Sequence, residues 1–581
     1  MEKTWAVNAR PDENEIKALS EAIPCSPLVA TLLLQRGVTT AGEANAFFFP
    51  TLDMLHDPFL MKDMDKAVDR IDRAIANGEK VMLYGDYDVD GTTSVALLYK
   101  HFKGKFANPS YYIPKRYTEG SGLSTIAIDK AVKEHVSLII VADCGVKSIE
   151  QVAYAKEKNV DVIICDHHTT GDTLPEAVAV LNPRRNDCGY PYKWLSGCGV
   201  SFKLAQAYDR RHGIPGEKLH ELLDLVCVSI ASDIVPVTGE NRILAHFGLE
   251  CLNSNPSLGL RTIIESAGVK ELSITNIVAR VGPKINAAGR VESGDKSVEL
   301  LIAEEVRVAR RVAASLDTFN DRRKKLDHDV TAEAVEALNA SAASRGKATV
   351  LYNPGWHGGV IGIVALRLLE HYYRPTMILT DSDDLVIGSA RSVEGYDLYE
   401  AVSRCSEYLE NYGGHKYAVG LTLKRENLDA FRSAFQRVVA ETIPAELTRP
   451  QISIDARANL EEITPELYNM LQLFAPFGPD NTAPVFLSEG VSNFGSRQVG
   501  RHKEHLQLVV VDDARVHSCD ESRARVYTDR GGIAFGMGHL FTRVNNGEVF
   551  DICYTLQKND VSRKENDIQM LVRDIRFKED Q

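Results

Sequence analysis

The chain has 581 residues, 44% of them hydrophobic and 25% charged, a globular composition too long for one hydrophobic core, and three or more domains are predicted. No run of about 18 apolar residues is present to span a bilayer, and the N-terminus leads into Asp12, Glu13 and Glu15 without an apolar signal core, so the expected location is cytoplasmic. A formal net charge of -13 argues against wholesale wrapping of nucleic acid; any strand must meet a local basic path.

Ten cysteines are scattered without a C-x-x-C pair, so reduced thiols are expected, and Cys144 and Cys165 beside the acidic motifs read as small buried hydrophobes. Residues 1–64 are expected to form an N-terminal segment packing on a catalytic domain, 65–290. From about Lys80 to Asp233 short apolar runs alternate with helix-like stretches, the α/β pattern of a parallel sheet with crossover helices. The runs are 81–84, 111–113, 138–141, 162–165 and 178–181. Three of them end in an acidic cluster, where open parallel sheets place their ligands.

The densest cluster is Gly85-Asp86-Tyr87-Asp88-Val89-Asp90-Gly91. Three carboxylates at alternate positions after an apolar strand project in similar directions if the chain stays extended, and such crowding of negative charge needs a cation. The run D-x-D-x-D-G also opens an EF-hand. That loop needs Glu at its twelfth position, which here is Leu97, and a helix rather than a strand before it.

The next apolar strand ends in Asp143-Cys144-Gly145 and the one after in Asp166-His167-His168, while Asp233 follows the apolar run 225–231. Acidic and imidazole side chains from separate strand tips are expected to meet closely enough to grip divalent ions. A mixed Asp and His set suits Mn2+ better than Ca2+, and the carboxylates suffice for two ions, which at about 3.5–4 Å apart act jointly on a phosphodiester. Neither a P-loop nor a G-x-S-x-G nucleophile elbow is present, so hydrolysis of a nucleoside triphosphate and serine catalysis are not supported.

Residues 291–345 read as a helical connector. There is no Gly or Pro from 295 to 345, and Val308, Val312, Leu316, Phe319, Leu326 and Val330 recur at mostly helical spacing, with one break expected near Asn320-Asp321. Its basic run 322–325 reads as a solvated face. A second α/β pattern occupies 346–445. In 446–581, alternation through Phe550, Ile552, Tyr554 and Leu556 and through Ile568, Met570 and Val572 predicts a small β-barrel.

The four acidic motifs resemble those of the DHH phosphoesterase superfamily, whose namesake stands here as Asp166-His167-His168. The likeness extends to its RecJ branch through residues 112–116, 122–124, 237–242, 282–290, 355–362, 388–392, 413–415 and 474–481. The resemblance implies a parallel-sheet DHH domain, the connector, a DHH-associated substrate-binding domain and a C-terminal OB-fold. It also implies a two-metal centre that prefers Mn2+, with Mg2+ compatible, and exonuclease action on single-stranded DNA from 5′ to 3′ in recombination and repair. A single-strand-binding protein and a RecQ-type helicase are the partners expected.

Carried over by position, Asp88, Asp90, Asp143, His167 and Asp233 are the expected metal ligands, Asp86 joins them, and His168 contacts the scissile phosphate or its leaving group. Glycine-rich turns let backbone N–H groups approach a phosphate and Arg pairs with it bidentately, so Arg391, Ser389 and Arg290 are candidates for a 5′-phosphate pocket. Arg116 and His415 are expected on neighbouring phosphates. Lys284 and Lys416-Tyr417 depart mildly from the family pattern. In the barrel, Arg497, Arg501, His502 and Lys503 offer charge, and its aromatics read as core. Two competing readings are a DHH phosphodiesterase of cyclic dinucleotides or short oligonucleotides, which the extra barrel and connector disfavour, and an inactive DHH scaffold, which the complete ligand set disfavours.

Overall fold

The computed structural model describes residues 3–116, 118–120, 122–340, 346–512, 530–559 and 568–578. Cys519, the last five residues of the expected connector (341–345) and the remaining gaps of the barrel region lie outside the described residues. The chain forms two compact units, Leu55–Pro450 and the pair Thr4–Met54 with Gln451–Gln581.

In the first unit all five predicted runs are strands of one parallel sheet, in the order Ser110–Tyr112, Lys80–Gly85, Val136–Ala142, Asp161–Cys165, Ala179–Leu181. Helices cover both faces, so the central strands are apolar throughout, and residues 81–84 and 138–142 are wholly buried. Because the strands are parallel, the segments that follow three neighbouring ones emerge at a single edge. The run 225–231, in contrast, is part of the helix Leu223–Ser232, in which residues 223–231 are all buried. A short apolar run buried on every side satisfies its backbone as well in a helix as in a strand, so composition does not separate the two.

The connector is a short helix, Asp295–Leu301, followed by one unbroken 35-residue helix, Val306–Ala340. The break expected at Asn320-Asp321 is absent and lies instead at residues 302–305. Asn320 is buried and accepts from Arg323 one turn on (3.0 Å), a contact that ties it into the helix. Buried Asp327 takes a bidentate bond from Arg367 of the second domain, and Trp356 Nε1 donates to Glu333 (2.8 Å). Lys284 pairs with Asp317 on the same helix and donates to Ser266. The connector is thereby fastened to both domains.

The second α/β domain has a mixed sheet in the order Asn411–His415, Ala418–Lys424, Leu385–Arg391, Thr376–Ser382, Thr349–Tyr352. Against it packs the helix Gly358–Tyr372, whose N-cap His357 accepts from Gly359 N.

The second unit is a closed barrel: Phe486–Asn493, Phe550–Lys558, Ile568–Phe577, Arg530–Ala534 and His505–Asp512, closed by pairing of the last strand with the first. This is the expected OB-type barrel, and Phe486, Phe550, Tyr554 and Phe577 fill its core. The expectation that residues 1–64 pack on the catalytic domain is corrected for Thr4–Met54. Thr4–Val7 pairs in parallel with Gln451–Ile454, and Leu28, Val29, Leu32 and Leu33 enter the barrel core. A helix as apolar as Pro27–Gln35 must be covered on most of its circumference, and Arg36 fixes it by bonds to Asn481 (3.1 Å) and Thr482 (2.8 Å). The segment after Met54 keeps to the catalytic domain, where His56 N donates to Glu240 (2.9 Å). No single helix among the described residues is long and apolar enough to cross a membrane.

Candidate metal centre

The strand Lys80–Gly85 delivers Asp86 to the sheet edge, and the chain then turns at once into the helix Val89–Phe102. Asp88 is its N-cap, accepting from Gly91 N (3.1 Å), and Asp90 lies in the first turn. The three carboxylates therefore converge through a strand-to-helix turn, not through an extended segment as the sequence suggested. Asp90 faces the start of a second helix, Gly197–Arg211. It accepts from the backbone N–H groups of Gly197 and Cys198 (2.7 Å each) and from Ser229 Oγ (2.7 Å). A helix N-terminus suits an anion.

Asp143 follows its strand in the left-handed region, at φ 60°, unusual for a residue with a side chain. Gly197 allows this placement: a Cβ there would meet Asp143 Oδ1 at 2.6 Å. Asp166 is a positioning residue. It accepts from the backbone N–H groups of Val146, His167 and His168 and from His168 Nδ1 (2.7 Å). Asp233 caps the end of the helix Leu223–Ser232 rather than a strand tip, and Ile234 after it is exposed at φ 58°, a strained conformation for a β-branched side chain.

His167 is the hub. Its Nε2 lies 3.2 Å from Asp143 Oδ1, 3.5 Å from Asp233 Oδ2 and 3.7 Å from Asp90 Oδ2. Ligand atoms of Asp90, His167 and Asp233, and separately of Asp143, His167 and His168, all lie within 4.8 Å of one another. Asp86 and Asp88 complete the acidic rim.

Burial and the neighbouring Asp88 push the Asp86 carboxyl up to about 7. Burial and Asp90 push Asp88 and Asp143 up as well, and Asp233 follows for the same reasons. His167, by burial and by its neighbour His168, is pushed down to about 4, neutral and ready to donate a lone pair. Burial opposes charge on His168, yet Asp166 overcomes it and holds the imidazolium up to about 9. Among the described residues, the buried atoms Asp143 Oδ1 and His167 Nε2 have no hydrogen-bond partner. Carboxylates that repel one another around a neutral imidazole, with buried lone pairs left over, fit a divalent cation, which removes both penalties.

The predicted phosphate contacts come from both α/β domains of this unit. Arg116 stacks on Tyr87 (4.9 Å), beside Asp86. Arg290 reaches across to the Gly359 carbonyl (3.3 Å) of the second domain. Arg391 donates to Ser389 Oγ (3.0 Å), and Gly362 leaves room for both: a Cβ there would meet Ser389 Oγ at 2.8 Å and Arg391 Nη2 at 2.9 Å. Burial and the like charge of Arg116 lower Arg391 to about 10. His415 stacks on His168 with ring centroids 5.6 Å apart, and burial with that imidazolium lowers it to about 4. Sequence reasoning missed Gly197, Cys198 and Ser229, which hold Asp90; the Ser-Gly-Cys-Gly run 196–199 ahead of a helix was the available signal. It also missed Arg184, whose Nη1 donates to the His167 carbonyl (3.4 Å).

A parallel-sheet domain with this centre at its carboxyl edge, fastened by a long helix to a second α/β domain, defines a DHH-type phosphoesterase, a metal-dependent hydrolase. Family models match in that order: the DHH family N-terminal domain over residues 80–230, the DHHA1 domain over 345–441 and the RecJ OB domain over 454–574. The chain belongs to the RecJ family of single-stranded-DNA-specific exonucleases.

It is 37% identical to RecJ of Bacillus subtilis, covering 89% of this chain and 65% of that protein, so it spans just under two thirds of that relative's length. It is 32% identical to RecJ of Haemophilus influenzae, covering 85% of this chain and 88% of the relative. Among solved structures, RecJ of Thermus thermophilus in complex with Mn2+ superposes with a TM-score of 0.82 at 25% identity, covering 99% of this chain and 79% of that one. An exonuclease RecJ bound to manganese superposes at 0.58 with 30% identity, over 68% of this chain and 98% of that one. The centre is one for divalent metal.

Proposed function

We propose that this protein hydrolyses single-stranded DNA from its 5′ end to mononucleotides, in recombination and repair, using two Mn2+ ions. The observation that carries the reading is the convergence of Asp90, Asp143, His167 and Asp233 on one buried point, with lone pairs of Asp143 and His167 left unmatched. In this reading Asp86, Asp88, Asp90, Asp143, His167 and Asp233 hold the metals. Divalent ions held by these residues would supply polarisation of the phosphodiester and a more acidic water at neutral pH.

The chain's own residues do the rest. Asp166 keeps His168 protonated, so its imidazolium faces the phosphate as a charged donor and offsets negative charge on the leaving oxygen. Arg391, Ser389, Arg290 and Arg116 form a cationic end-stop for a 5′-phosphate, which sets the register of the bond to be cut. His415, kept neutral beside His168, offers a hydrogen bond to the adjoining phosphate. The barrel adds a second single-strand surface of its own. A cytoplasmic location belongs to the proposal as the sequence's default, and work alongside a single-strand-binding protein and a RecQ-type helicase belongs to it on resemblance alone; co-purification with each partner tests the latter.

Digestion of end-labelled strands tests the reading. In Mn2+, a 5′-phosphorylated single strand should release its 5′ label as mononucleotide at once, while a duplex or a 5′-blocked strand persists and chelator stops the reaction. Initial release of the 3′ label, or equal attack on duplex, would refute it.

A further inference from the structure

The order of strands in the catalytic sheet lays out its carboxyl edge as a sequence of sites. Arg116 follows the strand at one margin, Asp86 and Asp88 the next, Asp143 the central strand and His167 and His168 the fourth. Beyond the other margin strand, Ala179–Leu181, stand Arg184 and an aromatic that the mechanism does not use. Trp194 is 48% exposed, and the Arg184 guanidinium lies over its ring at 5.0 Å.

This pair is held, not loose. The Trp194 carbonyl accepts from buried Asn241 (2.6 Å), and the next two residues, Leu195 and Ser196, are fully buried. Arg184 N donates to Asn182 Oδ1 (2.8 Å), Asn182 Nδ2 donates to the His168 carbonyl (2.9 Å), and Arg184 Nη1 reaches the His167 carbonyl. An exposed indole on an anchored backbone, carrying on its ring a cation that is itself bonded to the Asp166-His167-His168 motif, loses less entropy than a loose side chain when a planar ring is laid on it.

We propose that Trp194 and Arg184 form a stacking platform for a nucleobase downstream of the scissile bond. The inference rests on the exonuclease reading for its direction. With the 5′-phosphate stopped at the Arg116 margin, the rest of the strand crosses the metals and reaches the opposite margin, where the second base past the cut, which a dinucleotide lacks, stacks on the indole and Arg184 meets the phosphate before it. Aromatic stacking is indifferent to base identity, as a non-specific exonuclease requires. The platform fixes the leaving side of the bond while the end-stop fixes the other.

The test compares Trp194→Ala and Trp194→Phe with the native protein. Affinity for a fluorescein-labelled 12-nucleotide strand is read by anisotropy in chelator, and KM and kcat are read in Mn2+ for the 12-mer and for a 5′-phosphorylated dinucleotide. Trp194→Ala should weaken 12-mer binding and raise its KM about tenfold, within the range a lost base stack gives, with kcat nearly unchanged and dinucleotide cleavage retained. Trp194→Phe should restore most of the affinity. Unchanged 12-mer affinity in Trp194→Ala, or an equal loss on the dinucleotide, overturns the platform. Failure of the exonuclease reading shows separately, as native protein that binds the 12-mer but releases no mononucleotide, and the anisotropy comparison still decides the platform.

Discussion

At the scale of single residues, the centre is a stock of unfavourable charge that a cation relieves. Asp86, Asp88, Asp143 and Asp233 all hold protons in the metal-free fold at a pH where an unfolded chain has lost them. A raised carboxyl contributes stability that is fully present below its unfolded value and is lost as pH rises from there through its folded value. His168, raised to about 9, acts in the same direction above 6.5; His167 is neutral in both states there. The metal-free protein should therefore melt at a falling temperature between about pH 6.5 and 8.5, and saturating Mn2+ should flatten the curve. A melting temperature that rises with pH in chelator would contradict this. Asp143→Asn is neutral without having to take up a proton on folding, and it leaves no cavity. It should stabilise the metal-free protein by about 1 kcal/mol, abolish the Mn2+ gain and abolish Mn2+-dependent cleavage. Cleavage at the native rate in this variant would end the site assignment.

At the scale of elements, two helix starts do the positioning. The turn into Val89–Phe102 aims Asp88 and Asp90, and the N-terminus of Gly197–Arg211 binds Asp90 through two N–H groups while leaving just enough space for Asp143. Gly197→Ala drives a methyl into the Asp143 carboxylate. It should cost about 1–3 kcal/mol of stability as overpacking and lower kcat at least 100-fold, because displacement by about 1 Å at a reacting centre suffices for that; steady-state assays and thermal melts check both. The connector makes a second case. Asp327 is 1% exposed and its partner Arg367 54% exposed. Removing Arg367 strands a buried carboxylate, whereas removing Asp327 frees a guanidinium already in contact with water. Arg367→Ala should destabilise by about 2–3 kcal/mol and Asp327→Ala by only about 1 kcal/mol, read as melting shifts of the first unit. The reverse order would show that packing, not charge, dominates there.

At the scale of the whole molecule, the chain is divided against its own order. The first unit is continuous from Leu55 to Pro450, but the second is assembled from both ends of the sequence. Residues 451–581 expressed alone leave the barrel core without Leu28, Leu32 and Leu33, and should be insoluble or molten. Co-expression with residues 4–54 should rescue a cooperative melt. Residues 55–450 should fold unaided and cut short single strands in Mn2+, with weaker binding of long ones. A soluble, sharply melting 451–581 fragment would remove the claim that Thr4–Met54 completes that core.

Local sequence determined the catalytic sheet and most of its chemistry. Continuous apolar runs alternating with helical stretches favour a doubly covered parallel sheet, and such a sheet puts whatever follows its strands at one edge, so Asp86, Asp143 and His167 were legible as neighbours without coordinates. The barrel was legible from alternation for the same kind of reason. What tertiary structure alone decided depends on contacts between residues distant in the chain. The run before Asp233 is a helix because it is enclosed by other helices, and the connector stays whole because Asn320 and Asp327 find partners. Asp90 is held by residues more than a hundred positions away, the first strand pairs with Gln451–Ile454, and Trp194 gains its place beside the centre only from the order of strands. Short-range pattern fixes which backbone hydrogen bonds are easy; which surfaces must then be buried together is set by the packed whole.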